Sequence, residues 1–137
     1  MEILEEVGEE NFFLFGQTTE QVYTTKAAGY RPRDLYENDR ELQTVLDLLI
    51  SGKLSHGDSE LFRPILDDLL QKDNYLVLAD YRDYLRCQDG VHQAWKDEKD
   101  WTRRSILNAA RMGKFSSDRS VQEYADMIWK VGSIKEK

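Results

Sequence analysis

The sequence has few of the residues from which metal and disulfide sites are built. Its 137 residues include one cysteine, Cys87, and two histidines, His56 and His92. A single cysteine excludes an internal disulfide and a cysteine-based zinc site. The two histidines are far apart and form no HExxH-like pair. We therefore expect no metal-binding residue, and we interpret Cys87 as a small buried hydrophobic side chain.

Long hydrophobic runs are also missing. The longest unbroken apolar runs are four residues, Phe12 to Phe15 and Leu76 to Ala79, whereas a membrane-spanning helix needs about 20. The first ten residues contain five glutamates instead of the basic and apolar regions of a secretory signal. Together with a mean hydropathy of -0.68, this predicts a soluble cytoplasmic chain without membrane contact.

Basic residues do not dominate any part of the chain strongly enough to suggest a nucleic-acid partner. The formal net charge is -7. Residues 96 to 137 carry 10 basic and 7 acidic side chains, but these are interleaved at helical spacing, which is typical of a solvated helix face. A nucleic-acid-binding domain would be strongly basic, with clustered arginines and lysines.

Motifs for common catalytic sites are absent as well. The sequence has no GxGxxG, no Walker A lysine and no GxSxG, so it lacks the usual phosphate cradles and the nucleophile elbow. Adjacent carboxylates such as Asp67 and Asp68 do not face each other on a helix. Trp95, Trp101 and Trp129 could stack on sugar rings, but core packing is the preferred interpretation. We expect no catalytic and no cofactor-binding residue in this chain.

The apolar spacing predicts a mainly α-helical fold. Thr18 and Gln21 form the pattern of a capping box that opens a helix, and Gly29 closes that helix. Leu42, Val45, Leu46 and Leu49 repeat at helical spacing. Residues 30 to 38 are interpreted as a connection. Further helices are expected from about Glu60 to Leu70, from a cap at Asp80 to Trp95, from a cap at Asp100 to Gly113, and from Ser117 or Asp118 to Trp129.

Two short segments are predicted to be strands. Phe12 to Phe15 is apolar on both faces and is bounded by charges and a glycine, which suits a strand buried in a parallel sheet. Tyr75 to Leu78 is the second candidate. The predicted architecture is one partial domain over residues 1 to 137 that is mainly α with one or two short strands, and residues 132 to 137 are expected to fray.

Two sequence blocks are distinctive: Glu-Glu-Asn-Phe-Phe-Leu-Phe-Gly at residues 9 to 16 and Gly-Lys-Phe-Ser-Ser-Asp-Arg at residues 113 to 119. Both resemble the glycogen and starch (α-1,4-glucan) phosphorylase family. Shorter matches, including Ala79-Asp80-Tyr81 and Trp101-Thr102, follow in the family's order, so the resemblance runs from about Glu2 to Trp129. It implies the C-terminal part of the α/β, nucleotide-binding-like domain that carries the family's cofactor.

The resemblance also implies what the complete enzymes do. They are glycosyltransferases that use inorganic phosphate to release glucose 1-phosphate from the non-reducing end of an α-1,4-glucan. Their pyridoxal phosphate is held as a Schiff base on a lysine in a Gly-Asn-Met-Lys context, upstream of the first block. None of the nine lysines here stands in that context. We therefore expect this chain to bind no pyridoxal phosphate and to be inactive alone, and we expect the rest of the phosphorylase chain to be its partner.

Two alternatives remain open. The chain could be a stand-alone helical interaction module derived from a phosphorylase, or it could bind glucan through surface tryptophans. Without partner strands, the apolar run at Phe12, Phe13, Leu14 and Phe15 would pair with Tyr75 to Leu78, tuck under the helices or cause self-association.

Overall fold

The structure, a computed structural model, describes residues 2 to 132, and the regular secondary structure in this part of the chain is helical. Residues 133 to 137, which belong to the segment predicted to fray, lie outside it. None of the helices in residues 2 to 132 has both the length and the apolar character needed to cross a membrane. The α-helices are α1 (Glu2–Val7), α2 (Thr19–Ala27), α3 (Pro32–Asn38), α4 (Arg40–Leu49), α5 (Arg63–Gln71), α6 (Val77–Lys96), α7 (Glu98–Ala110) and α8 (Ser117–Glu123).

Three shorter helical segments complete the element order. Glu9–Asn11 and Met112–Phe115 are 3-10 turns, and Tyr124–Trp129 is a π-helix that directly continues α8. The chain divides into two compact units. Residues 15 to 89 form one of them, and residues 1 to 14 together with 90 to 137 form the other. The predicted assignment of residues 1 to 137 to one domain stays a prediction.

The core of the unit formed by residues 15 to 89 is a cluster of leucines. Leu42 and Leu46 come from α4, Leu66 from α5 and Leu78 from α6, and all four are buried. The predicted amphipathic helix α4 is therefore confirmed. Burying one leucine contributes roughly 1.5 to 3 kcal/mol, so these four side chains supply much of the stability of the unit.

Both predicted strands are wrong. Residues 12 to 15 form an irregular segment between a 3-10 turn and α2. In the second segment, Leu76 has a left-handed backbone with φ 57°, and α6 already begins at Val77. No residue from 2 to 132 is in a strand, so the α/β part of the predicted fold class is wrong, whereas its mainly α character is confirmed.

The carboxylate of Asp73 explains why the second segment is helical. This side chain is only 2% exposed and accepts hydrogen bonds from the backbone N–H groups of Val77 (2.8 Å) and Leu78 (2.9 Å). The first N–H groups of an α-helix have no partner within the helix, and these are two of them. An apolar run of four residues suits the buried first turn of a helix as well as a strand, and here the carboxylate favours the helix.

Helix starts were predicted with mixed success. The Thr18 capping box is confirmed: its hydroxyl accepts from the N–H of Gln21 at 3.3 Å, and the Gln21 amide oxygen accepts from the N–H of Thr18 at 2.8 Å. The connection predicted for residues 30 to 38 is wrong because α3 begins there at Pro32. A proline at the first helical position has the required φ and needs no partner for an N–H.

Two predicted caps lie too far along the chain. Asp80 stands within α6, whose first N–H groups are bound by Asp73. Asp100 stands within the first turn of α7, where its own N–H donates to the Asp97 carboxylate at 3.1 Å. In both places an earlier aspartate provides the carboxylate at the N-terminus, where the helix dipole favours a negative charge.

Candidate functional site

The first resemblance block is held against α7 by a set of hydrogen bonds centred on Asn11. The Asn11 side chain is 3% exposed, and its amide nitrogen donates to the Val7 carbonyl at 2.8 Å. The Asn11 carbonyl accepts from the Asn108 side chain at 3.0 Å, and Arg104 donates to the Glu10 carbonyl. Carbonyl groups at the ends of short helical segments have no partner within the segment and need one when they leave water. Side chains of α7 provide it for Glu10 and Asn11.

The second block joins the same set. Lys114 donates to the Glu6 carboxylate at 2.6 Å, and Arg111 donates to the Val7 carbonyl at 2.8 Å. The hydrogen bond with Glu6 raises the pKa of Lys114. The structure thus places Lys114 of the second block against Glu6, which lies shortly before the first block. We refer to Glu6, Val7, Asn11, Arg104, Asn108, Arg111 and Lys114 as the motif junction.

Aromatic packing extends the motif junction. The Phe13 ring stacks on Trp101 with centroids 6.3 Å apart, and the Arg104 guanidinium lies 5.7 Å from the Phe13 centroid, a cation–π distance. Trp101 also meets Trp95 edge-to-face at 5.0 Å. Phe13 is therefore tucked against a helix, which is one of the three outcomes expected for this segment.

The tryptophans differ in their surroundings. Trp101 is partly buried in the packing just described, as expected for a core residue. Trp95 is 62% exposed, and Trp129, which stacks on Tyr124 at 5.7 Å, is also exposed. Core packing is therefore the wrong interpretation for Trp95 and Trp129.

An aromatic groove lies in the unit formed by residues 15 to 89. Phe15 and Tyr84 meet edge-to-face at 5.1 Å, and Tyr75, at 89% exposed, stands almost wholly in solvent. The groove is open and has a volume of about 480 Å³. The residues that line it are Phe15, Tyr75, Val77, Asp80, Tyr81 and Tyr84. We refer to this surface as the aromatic groove.

Backbone hydrogen bonds fix the segment that enters the groove. The Gly16 N–H donates to Asp83 at 2.8 Å, and the Gln17 N–H donates to Asp80 at 3.1 Å. Gly16 has φ 91°, and a Cβ atom there would lie 2.8 Å from the Asp80 carboxylate. Asp80 and Asp83 follow the helical i, i+3 spacing in the sequence, but this spacing alone does not say that they bind another segment.

Two further polar contacts stabilise this unit. Arg82 donates to Asp39 at 2.6 Å and to Glu41 at 2.6 Å, and its hydrogen bonds are the largest cause that lowers the pKa of Asp39. Tyr30 donates to the buried Asp73 carboxylate at 2.6 Å. Burial, and then this hydrogen bond, raise the pKa of Tyr30.

The lysines of residues 2 to 132 lie at the protein surface. A lysine that forms a Schiff base is activated by desolvation in a pocket, but the seven lysines in residues 2 to 132 are all exposed. Within the same residues, no three His, Cys, Asp or Glu side chains converge as metal ligands would. The expectation that no catalytic, cofactor or metal residue lies in this chain stays a prediction, as does self-association through Phe12, Phe13, Leu14 and Phe15.

Comparison with known proteins gives the class to which this helical chain belongs. The sequence pattern described as "Carbohydrate phosphorylase" matches residues 1–131. The chain therefore belongs to the carbohydrate phosphorylase family.

Three individual relatives are glycogen phosphorylases. The enzyme of Synechocystis sp. is 56% identical over 134 residues, which is 98% of this chain. That of Haemophilus influenzae is 43% identical over 135 residues, also 98% of the chain, and the human muscle form is 43% identical over 131 residues, or 96%. The chain spans only 16% of the length of each of these relatives.

Proposed function

We propose that this chain is the C-terminal segment of an α-glucan phosphorylase and that it works only as part of the complete enzyme. That enzyme would release glucose 1-phosphate from an α-1,4-glucan with inorganic phosphate, using pyridoxal phosphate in the cytoplasm. Its substrates would be α-glucan and phosphate. The partner of this segment would be the rest of the phosphorylase chain.

One observation carries the proposal: nearly the whole chain matches glycogen phosphorylases, yet it spans only 16% of their length. A domain that had become independent would be expected to bury its own apolar surface. Here six hydrophobic side chains are buried, while many large ones stay exposed in the described residues. Such a surface supports the proposal that this segment packs against further polypeptide.

The contacts at the motif junction support a positional role for the segment. Asn11, Arg104 and Asn108 bind backbone groups, and Asn11 and Arg104 also bind the carboxylates of Glu10 and Asp100. These contacts hold chain segments together, whereas catalysis needs a nucleophile, a base and electrostatic groups that converge on one point. We therefore assign the reaction to residues outside this chain, and the cofactor to a lysine outside it.

A chimera tests the proposal. The matching 134 residues of the Synechocystis glycogen phosphorylase are replaced by this chain, and release of glucose 1-phosphate from glycogen is measured. We expect the chimera to keep phosphorolysis and bound pyridoxal phosphate. A matched chimera with an unrelated helical segment of equal length should lose both.

A folded chimera without phosphorolysis would contradict the proposal and favour an independent interaction module. The source gene gives a second check, because we expect codons for Gly-Asn-Met-Lys upstream of Glu2. Their absence would also contradict the proposal.

A further inference from the structure

The aromatic groove leaves several large apolar side chains in water next to one another. Tyr75 projects from the turn before α6 and is 89% exposed, and Val77 and Phe15 on the groove walls are exposed as well. An aromatic side chain presents a large apolar area, so grouped exposed rings mark an interaction site.

The chemistry of the lining restricts what can occupy the groove. Its only ionisable carboxylate is Asp80, which already accepts the Gln17 N–H at 3.1 Å. The remaining lining side chains are Phe15, Val77 and three tyrosines. An anionic ligand would therefore find no cationic partner in the lining, whereas apolar side chains with polar groups for the tyrosine hydroxyls would fit.

The length of chain outside this structure indicates where such side chains come from. The relatives are about six times longer than this chain, since it covers 16% of them. If a second copy of this chain covered the groove, the remaining polypeptide of the longer protein would have to stay outside the contact. The remaining phosphorylase polypeptide is therefore the better candidate occupant.

We infer that the aromatic groove is the docking surface for an apolar segment from the remaining part of the phosphorylase chain, with the Tyr75 ring buried in that contact. The inference rests on the proposed function, because it requires the complete enzyme. It makes Tyr75 almost irrelevant to the isolated chain and important to the complete protein.

The experiment compares Tyr75→Asp in two settings, the isolated chain and the Synechocystis chimera. In the isolated chain the urea midpoint should stay unchanged, since the side chain is already in water. In the chimera the new carboxylate would be buried without a partner, and we expect Tm to fall by about 2 °C or more. Tyr23→Asp is the control, because Tyr23 is 72% exposed on α2 outside the groove, and it should leave Tm unchanged.

Other outcomes would overturn the inference. They are an unchanged Tm for the Tyr75→Asp chimera, an equal fall for Tyr23→Asp, or a concentration-dependent dimer of the isolated chain that Tyr75→Asp abolishes in sedimentation. If Tyr75→Asp prevents folding of the chimera, Tyr75→Ser removes the ring without adding a charge and should give a smaller fall. Phosphorolysis by the unmutated chimera tests the proposed function separately, so the two failures can be distinguished.

Discussion

The ammonium group of Lys114 lies 2.6 Å from the Glu6 carboxylate, although 108 residues separate the two in sequence. Glu6 closely precedes the first resemblance block and Lys114 stands inside the second. Their contact places both blocks in one packing unit, together with the hydrogen bonds from α7 to residues 7 to 11. The most recognisable parts of the sequence therefore serve to hold the polypeptide in position.

Reversing the charge of one partner should destabilise that unit. We expect Lys114→Glu to lower the free energy of unfolding only slightly, since both side chains are partly exposed and such pairs contribute little. The double variant Glu6→Lys, Lys114→Glu should recover part of the loss. Urea unfolding at low salt measures the free energy of unfolding of each variant. If the loss in the double variant equals the sum of the losses in the two single variants, the two residues do not interact.

Two glycines should respond oppositely to alanine. Gly16→Ala should destabilise by roughly 1 to 2 kcal/mol, because the left-handed φ of 91° is unfavourable for residues with a Cβ. Gly90→Ala lies within α6 with open space around it and should stabilise by up to about 1 kcal/mol. Circular dichroism with urea resolves both. Neutral or stabilising behaviour of Gly16→Ala would show that the segment entering the aromatic groove is not held as described.

Acid should remove the stabilisation that Asp39 provides. Its pKa in the folded chain is below the ordinary value of 3.8, chiefly because of the Arg82 hydrogen bonds. The contribution is therefore present above the unfolded pKa and is lost as the pH falls through the folded pKa. Arg82→Met should reduce the loss of unfolding free energy between neutral pH and a pH below that value. An identical acid profile for the variant and the original chain would contradict the assignment.

Raising the pH above the ordinary pKa of tyrosine should lower the stability of the folded chain through Tyr30. Its pKa in the folded chain is above the ordinary value of 10.0, first because it is partly buried and then because it donates to Asp73. Stability from this group is complete below the unfolded pKa and falls as the pH rises above it. Tyr30→Phe should cost about 1 kcal/mol at neutral pH and flatten the alkaline decline. The free energy of unfolding is measured as a function of pH for the original chain and for Tyr30→Phe. If it declines in parallel in both at alkaline pH, this role of Tyr30 is refuted.

The sequence predicted much of the helical fold because the evidence for it is local. The Thr18 capping box and the leucine spacing of α4 depend on residues within two turns of each other. Phe12 to Phe15 and Tyr75 to Leu78 were assigned wrongly because a short apolar run fits a strand and a buried helix start equally well. The Asp73 carboxylate decided the second case.

The resemblance drew attention to the two sequence blocks, but neither it nor any sequence pattern predicted the contacts of the motif junction. Lys114 and Glu6 lie too far apart in sequence for any spacing rule to pair them. The hydrogen bonds from Asn108 and Arg104 go to backbone carbonyls, which carry no sequence signal. Tyr75 is the most exposed residue of the aromatic groove, whereas the apolar run that it begins predicts a strand.

The most direct test of the account is phosphorolysis by the isolated 137-residue chain beside the chimera that contains it. Glycogen, inorganic phosphate and pyridoxal phosphate are supplied to both, and glucose 1-phosphate and cofactor absorbance after gel filtration are measured. We expect no product and no retained cofactor for the isolated chain, and both for the chimera. Release of glucose 1-phosphate by the isolated chain above the blank would contradict the claim that this segment positions, and does not perform, the chemistry.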